Sequence, residues 1–354
     1  MEKNYPIVIS EGLEAITVID NYIWGILNGS NALVKISLNT WKIEFISYIP
    51  VKNSLYTFAN LFIDENKLYL IPRNADEIVI YDILNCTFSS IELDEEYKTR
   101  KDFLLYHSAK YKRFLYIFPH TYDAIVKLDL DTNLIEYIKN PVCDLRMNSS
   151  KSTGVDNFVC LSRQNDYIYM GGGYQSGRIV EYNLRNDSYN IIDVEGLQGK
   201  EIGFVYKTEK QYYLNSYIDK KTYTYNKNSE LLQINELDKF TIFHTIMDDK
   251  DVLIFNHNGG KNSVAKIKYN GEICFAEGID DAIMAVEDYG DYVIAINSIC
   301  AIAYVINKRD MSFVKHYISY ANEETENIIE NIPKSNIQEG EMNLKDYIKY
   351  VSNI

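Results

Sequence analysis

A short apolar strand with a fixed set of companions recurs seven times along this chain, and that periodicity limits the possible folds more than any single motif does. Residues 22–27 are followed by a polar turn, then by apolar-alternating stretches at 33–38 and 42–47. The same order returns at 68–72, 78–83 and 88–93, at 114–118, 125–130 and 134–138, and at 167–170, 179–184 and 189–194. Fainter copies begin at Tyr212, Val252 and Tyr292. Another short apolar segment precedes each anchor, as in 15–19, 61–63, 158–161, 202–205 and 282–286. Each unit therefore carries four strands. Turn residues such as Asp64-Glu65-Asn66, Asn165-Asp166, Asp248-Asp249-Lys250 and Asn270-Gly271 separate them, which is hairpin chemistry.

Anchors at 22, 68, 114, 167, 212, 252 and 292 are spaced by 46, 46, 53, 45, 40 and 40 residues. Four short antiparallel strands repeated at that spacing predict blades stacked around an axis, because radial stacking buries both faces of each small sheet and protects its edges. The predicted fold is all-β, a seven-bladed β-propeller of four-stranded antiparallel blades, with one propeller domain over 1–320. Two packed β-sandwiches are the competing arrangement, but sandwich strands have no need of a fixed four-strand order. Residues 6–10 offer an outer strand that the last blade can borrow to close the ring, although 312–318 already reads as that blade's fourth strand.

The stretch Tyr167-Ile168-Tyr169-Met170-Gly171-Gly172, followed by Glu181-Tyr182-Asn183, resembles a Kelch repeat, with a di-glycine after the second strand and a tyrosine in the third. Only the fourth unit has the di-glycine, and the tryptophan that ends a Kelch unit is missing from nearly all seven. Tyr81-Asp82 and Leu128-Asp129 resemble the turn found across many propeller families. The Kelch-like resemblance implies architecture and carries no family's activity with it.

Beyond Tyr320 the repeat stops. Residues 321–354 form an acidic extension with seven acidic and three basic side chains. Within it Leu344, Tyr347, Ile348 and Val351 follow Asn343 at helical spacing, which predicts a short amphipathic helix near 343–352. Its apolar stripe is expected to dock on the propeller itself or on another protein.

Composition narrows the function. The 36 basic residues stand against 50 acidic ones, a formal net charge of −14, so nucleic acid and anionic lipid surfaces are excluded as expected partners. No secretory leader and no apolar run of spanning length is visible, which predicts a cytoplasmic protein with no membrane partner. The five cysteines are scattered without a C-x-x-C pair, so neither a disulfide framework nor a structural zinc site is expected.

No nucleophile elbow, zincin helix, P-loop or dinucleotide turn occurs. Gly171 to Gly177 leads into a strand and reads as a tight turn, without a helix N-terminus to hold a phosphate. In a propeller, the loops joining second and third strands gather at one end of the channel. The candidate ligand residues there are Asn28, Arg73, Asn74, His120, Tyr122, Tyr174, Gln175, His257 and Asn258, joined by Arg146 from the long connection at 141–154, which can act as a lid. His120 and His257 fall just beyond the second strands of the third and sixth units, nearly across the ring. His244 enters the sixth unit on the same side, whereas His107 and His316 read as structural strand residues.

The leading expectation is a non-catalytic binding module that recognises a small polar ligand or a partner protein on this loop face, with no metal or cofactor. The alternative is a propeller enzyme, a lyase, epimerase or hydrolase acting on a small polar substrate such as a sugar. It would use His120 and His257 as acid and base and Arg73 or Arg146 as an anion clamp. Oligomeric state is left open.

Overall fold

The second strand of each unit is apolar on both faces, so its side chains can be buried only if another sheet lies against each side. The computed structural model meets that demand with a ring of seven sheets. It describes residues 13–27, 31–51, 57–98, 104–139, 160–172, 176–216, 219–226, 228, 230–297, 302–323 and 325, with the side chain at position 14 excepted. Blades span 13–48, 58–92, 105–139, 161–193, 202–234, 242–275 and 283–317, each a four-stranded antiparallel meander. The second strands Tyr22–Leu27, Lys67–Pro72, Phe114–Pro119, Tyr167–Gly171, Gln211–Ser216, Asp251–Asn256 and Tyr292–Asn297 fall on the seven sequence anchors.

Seven apolar clusters fill the seven gaps between neighbouring blades, and strand alternation deals the side chains out to them. In the second strand of blade 2, Leu68 and Leu70 enter the cluster shared with blade 1, while Tyr69 and Ile71 enter the one shared with blade 3. The first strands sit innermost. That of blade 1, Leu13–Ile19, touches Phe58–Asp64 of blade 2 and Ile283–Tyr289 of blade 7, which closes the circle.

The glycine run of the fourth unit is a matter of space. A Cβ on Gly171 would stand 1.6 Å from the Ile202 carbonyl oxygen of blade 5, and one on Gly172 2.7 Å from the Arg178 Cβ. The Gly172 N–H donates to the Arg178 carbonyl at 2.7 Å, so the glycines serve a close inter-strand turn. Residues 173–175 lie outside the described set.

The seam between blades 7 and 1 carries a feature the repeat did not announce. Blade 7 supplies its own fourth strand, Phe313–Tyr317, and the chain then adds a two-residue strand, Ser319–Tyr320, parallel to the outer edge of blade 1 at Lys42 and Ile43. The Ser319 N–H donates to the Trp41 carbonyl at 3.0 Å and the Ala321 N–H to that of Ile43 at 2.9 Å. His316 stacks on the Trp41 ring at 4.1 Å, and Ile318 is fully buried in the seam cluster with Leu13, Ile43 and Ile296. Residues 6–10, expected as a closing strand, and 343–352, expected as a helix, lie outside the described residues. Among those described, helical structure is confined to two short 3-10 turns, Glu95–Tyr97 and Asn235–Leu237, and the helical positions Glu323 and Thr325, and no helix is long and apolar enough to cross a membrane.

The seam gives a stability prediction. Ile318→Ala should lower the unfolding free energy by about 2–5 kcal/mol in urea titration, as expected for a truncated core isoleucine. Leu84→Ala, in a turn where the side chain is 71% exposed, should change it by less than about 0.5 kcal/mol.

Candidate functional site

Seven innermost strands meet around an axis, and their ends decide what the channel mouth contains. In six of the seven blades the pairing of first and second strands slips by one residue near the start of the first strand. The slips lie between Leu13 and Ala15, Phe58 and Asn60, Leu105 and His107, Ile202 and Phe204, Ile242 and His244, and Ile283 and Ala285. Each is a β-bulge, which leaves one extra residue unpaired, bends the strand and re-aims its side chain. Because first and second strands are antiparallel, every bulge lies at the end where the second strands run into their loops.

Blades 3 and 6 fill this position alike. Tyr106 is the extra residue of blade 3 and Phe243 that of blade 6, and each is followed by a histidine, His107 or His244. Thirteen residues after those histidines come His120 and His257, the first residues beyond the two second strands. In blade 6 the Phe243 and His257 rings meet edge to face at 4.3 Å. In blade 3 the Tyr106 ring lies 4.6 Å from that of His107 and 6.1 Å from that of His120. Arg73, from the corresponding loop of blade 2, places its guanidinium carbon 5.7 Å from the centre of the Tyr106 ring.

Electrostatics tie the two blades together. Burial, with the nearby positive charges that His107 and His257 would carry, pushes His244 down to about 3, against a hydrogen bond to the Met284 backbone. His257 is lowered by burial and then by the Arg73 guanidinium. Both imidazoles are therefore neutral at pH 7, with lone pairs available. The Nδ1 of His257 is buried without a hydrogen-bond partner among the described residues. Arg73, His107, His244 and His257, from blades 2, 3 and 6, thus share one neighbourhood.

Below them runs a cavity of about 480 Å³, walled mainly by first strands and including Tyr106, His107, His244, Asn60, Thr245 and Glu287. Arg73, His120 and His257 belong to the loops at its mouth rather than to its wall. The other sequence candidates sit elsewhere. Tyr122 is fully buried between blades 2 and 3, where its hydroxyl donates to the Asp94 carbonyl at 2.7 Å, so it serves the core. Asn74 lines a second cavity of about 450 Å³ with Asp76, Glu77, Glu92 and Glu95. Asn258 is an exposed turn residue whose side-chain amide donates to the Thr241 hydroxyl at 2.7 Å. Asn28, Arg146, Tyr174 and Gln175 lie outside the described residues. Among those described, no three His, Cys, Asp or Glu side chains come together as metal ligands.

Sequence reading passed over Tyr106, His107, Phe243 and Glu287. His107 is a strand residue as expected, but its strand is the innermost one. The signal that finds it is the shared pattern of an aromatic residue, His and Ser or Thr, with a further His thirteen positions after the first, present at 106–120 and 243–257. His316 has the structural place expected of it, against Trp41.

No protein-family profile and no curated protein matches the chain in sequence. Solved structures match it in fold. Virginiamycin B lyase from Staphylococcus aureus is 13% identical, with 82% of this chain and 92% of that one covered at a TM-score of 0.59. BamB from Moraxella catarrhalis is 13% identical over 81% of this chain and 82% of that one, at 0.54. The Swd1 propeller domain from Myceliophteria thermophila is 9% identical over 87% and 97%, at 0.52. The chain is a seven-bladed β-propeller. At these identities the likeness is one of fold alone, and it embraces an enzyme as well as proteins of other kinds.

His244 makes the site visible in stability. An imidazole held at about 3 in the folded state and near its ordinary 6.5 in the unfolded one takes up its proton only on unfolding in that window. Stability should therefore fall as pH drops from 6.5, with His244 contributing up to about 1.4 kcal/mol per pH unit. Urea midpoints between pH 6.5 and 4.5 should decline less steeply for His244→Gln than for the wild type, and parallel curves would contradict the placement.

Proposed function

We propose that the protein binds a small polar ligand bearing one anionic group at the mouth of the channel, and that binding is its function. The observation that carries this reading is the convergence of the matched aromatic–histidine pairs of blades 3 and 6 beside Arg73. Arg73 supplies charge to the anionic group, neutral imidazoles supply hydrogen bonds of either sense, and Tyr106 and Phe243 supply ring faces and edges for the ligand's apolar part. A cavity of about 480 Å³ is of the size that small-molecule sites have. A protein with net charge −14 disfavours polyanions, so a monoanion such as a sugar acid suits it better than a polyphosphate.

A second reading is favoured by the neutral state of His257 at pH 7, which makes it a competent general base. It is the acid–base enzyme with His120 and His257 in the two roles and Arg73 as anion clamp. The structural neighbour from Staphylococcus aureus is a lyase, and a histidine-to-alanine variant of it, solved with quinupristin, is described as catalytically inactive.

Native mass spectrometry of the protein captured from cell extract separates these readings. Binding predicts a small-molecule adduct that Arg73→Ala weakens about 10- to 100-fold, the loss expected for one charge-assisted hydrogen bond. Catalysis predicts in addition that the recovered ligand is converted on incubation, and that His257→Gln stops conversion while the adduct persists. An adduct indifferent to both substitutions would remove the site from the channel mouth.

A further inference from the structure

Glu287 stands on the cavity wall three residues beyond Met284, about 10 Å further from the mouth along the first strand of blade 7. The Thr17 hydroxyl of blade 1 donates to its Oε1 at 3.1 Å, and the Val18 backbone also reaches it. These bonds fix the carboxyl at the edge of the channel. What it lacks, among the described residues, is a cation. Asp288, the other carboxyl on this wall, pairs with Lys308 at 2.8 Å. Lys110 and Arg163 also line the cavity, but Lys110 is paired with Asp64 and Arg163 donates to the Lys110 carbonyl. On the adjoining strand of blade 6, Asp248 is held by Lys266 at 2.6 Å. His107 and His244 lie toward the mouth, and His244 is neutral. The same cavity wall also carries the apolar side chains of Ile16, Ile246, Met247 and Val286.

We infer that Glu287 is a binding subsite for an alkylammonium group, whose charged head meets the carboxylate while its hydrocarbon stem lies on Ile16, Ile246, Met247 and Val286. Once ionised, this partly buried carboxylate has two donors but no counter-cation among the described residues, and an ammonium is the partner that completes it. Burial and the nearby Asp288 hold Glu287 up at about 8 despite its two donors, so at pH 7 the empty subsite is mostly the neutral acid. Binding then exchanges a proton for a cation. The carboxylic acid gives its proton to solvent, the carboxylate forms, and the ammonium keeps all of its own protons. This subsite is independent of the anion site at the mouth, and a free amine or a lysine side chain carries the same chemistry.

Calorimetric titration with butylamine, in HEPES and in phosphate, tests the exchange directly. At pH 7 the wild type should bind butylamine in the millimolar range with release of close to one proton. Affinity should strengthen ~10-fold per pH unit from 6 toward 8 and level off above it, because the amine itself stays protonated throughout that range. Glu287→Gln mimics the neutral acid in shape and should abolish both binding and proton release. The same titration with Nα-acetyl-lysine amide separates the sources, since binding there as well extends the subsite to lysine side chains. No saturable butylamine binding by the wild type, binding without proton release, or equal binding by Glu287→Gln would each overturn the inference.

Discussion

Everything in this molecule depends on burial between blades. A four-stranded sheet with two apolar faces gains nothing alone, so each blade is stable only between two others, and the first must find the last. Six of the seven inter-blade clusters join units that are adjacent in sequence. The seventh joins residues some 270 positions apart, such as Leu13 and Ala285. It is reinforced by the parallel strand Ser319–Tyr320, the Trp41–His316 stack and the buried Ile318.

The same closure creates the chemistry. Seven innermost strands crowd one axis, and a bulge at the start of six of them turns side chains toward the mouth. Enclosure then works on the ionisable groups in one consistent direction, toward neutrality. His244 and His257 are pushed down and Glu287 is pushed up, because each would otherwise carry an uncompensated charge in a poorly solvated space. Two charges on the channel wall are paired, Asp288 with Lys308 and Lys110 with Asp64. Such a channel is set to accept a ligand's charge rather than to display its own.

Much of the fold was legible because strand periodicity is a local signal. The anchors at 22, 68, 114, 167, 212, 252 and 292 open the observed second strands to within one residue. The candidate site was half legible. Loop position alone brought out Arg73, His120 and His257, but also Tyr122, whose hydroxyl turns into the core to meet Asp94. Loop membership does not say which way a side chain faces. His107 was passed over because nothing local marks an innermost strand, and a bulge, which re-aims two residues, leaves no compositional trace. The correspondence of 106–120 with 243–257 lies in the sequence, but it gains meaning only once the ring sets blades 3 and 6 nearly opposite. Glu287 carries no sequence signal, since its character comes from Thr17 and Val18, 270 positions away.

The central claim is that histidines from blades 3 and 6 occupy one electrostatic neighbourhood at the channel mouth. Imidazole ¹⁵N NMR across a pH titration tests it most directly. The account predicts that His244 stays neutral well below its ordinary 6.5 and that His107→Gln, which removes a positive charge from blade 3, raises its titration midpoint. A His244 that titrates near 6.5 and is unmoved by that substitution would contradict the account.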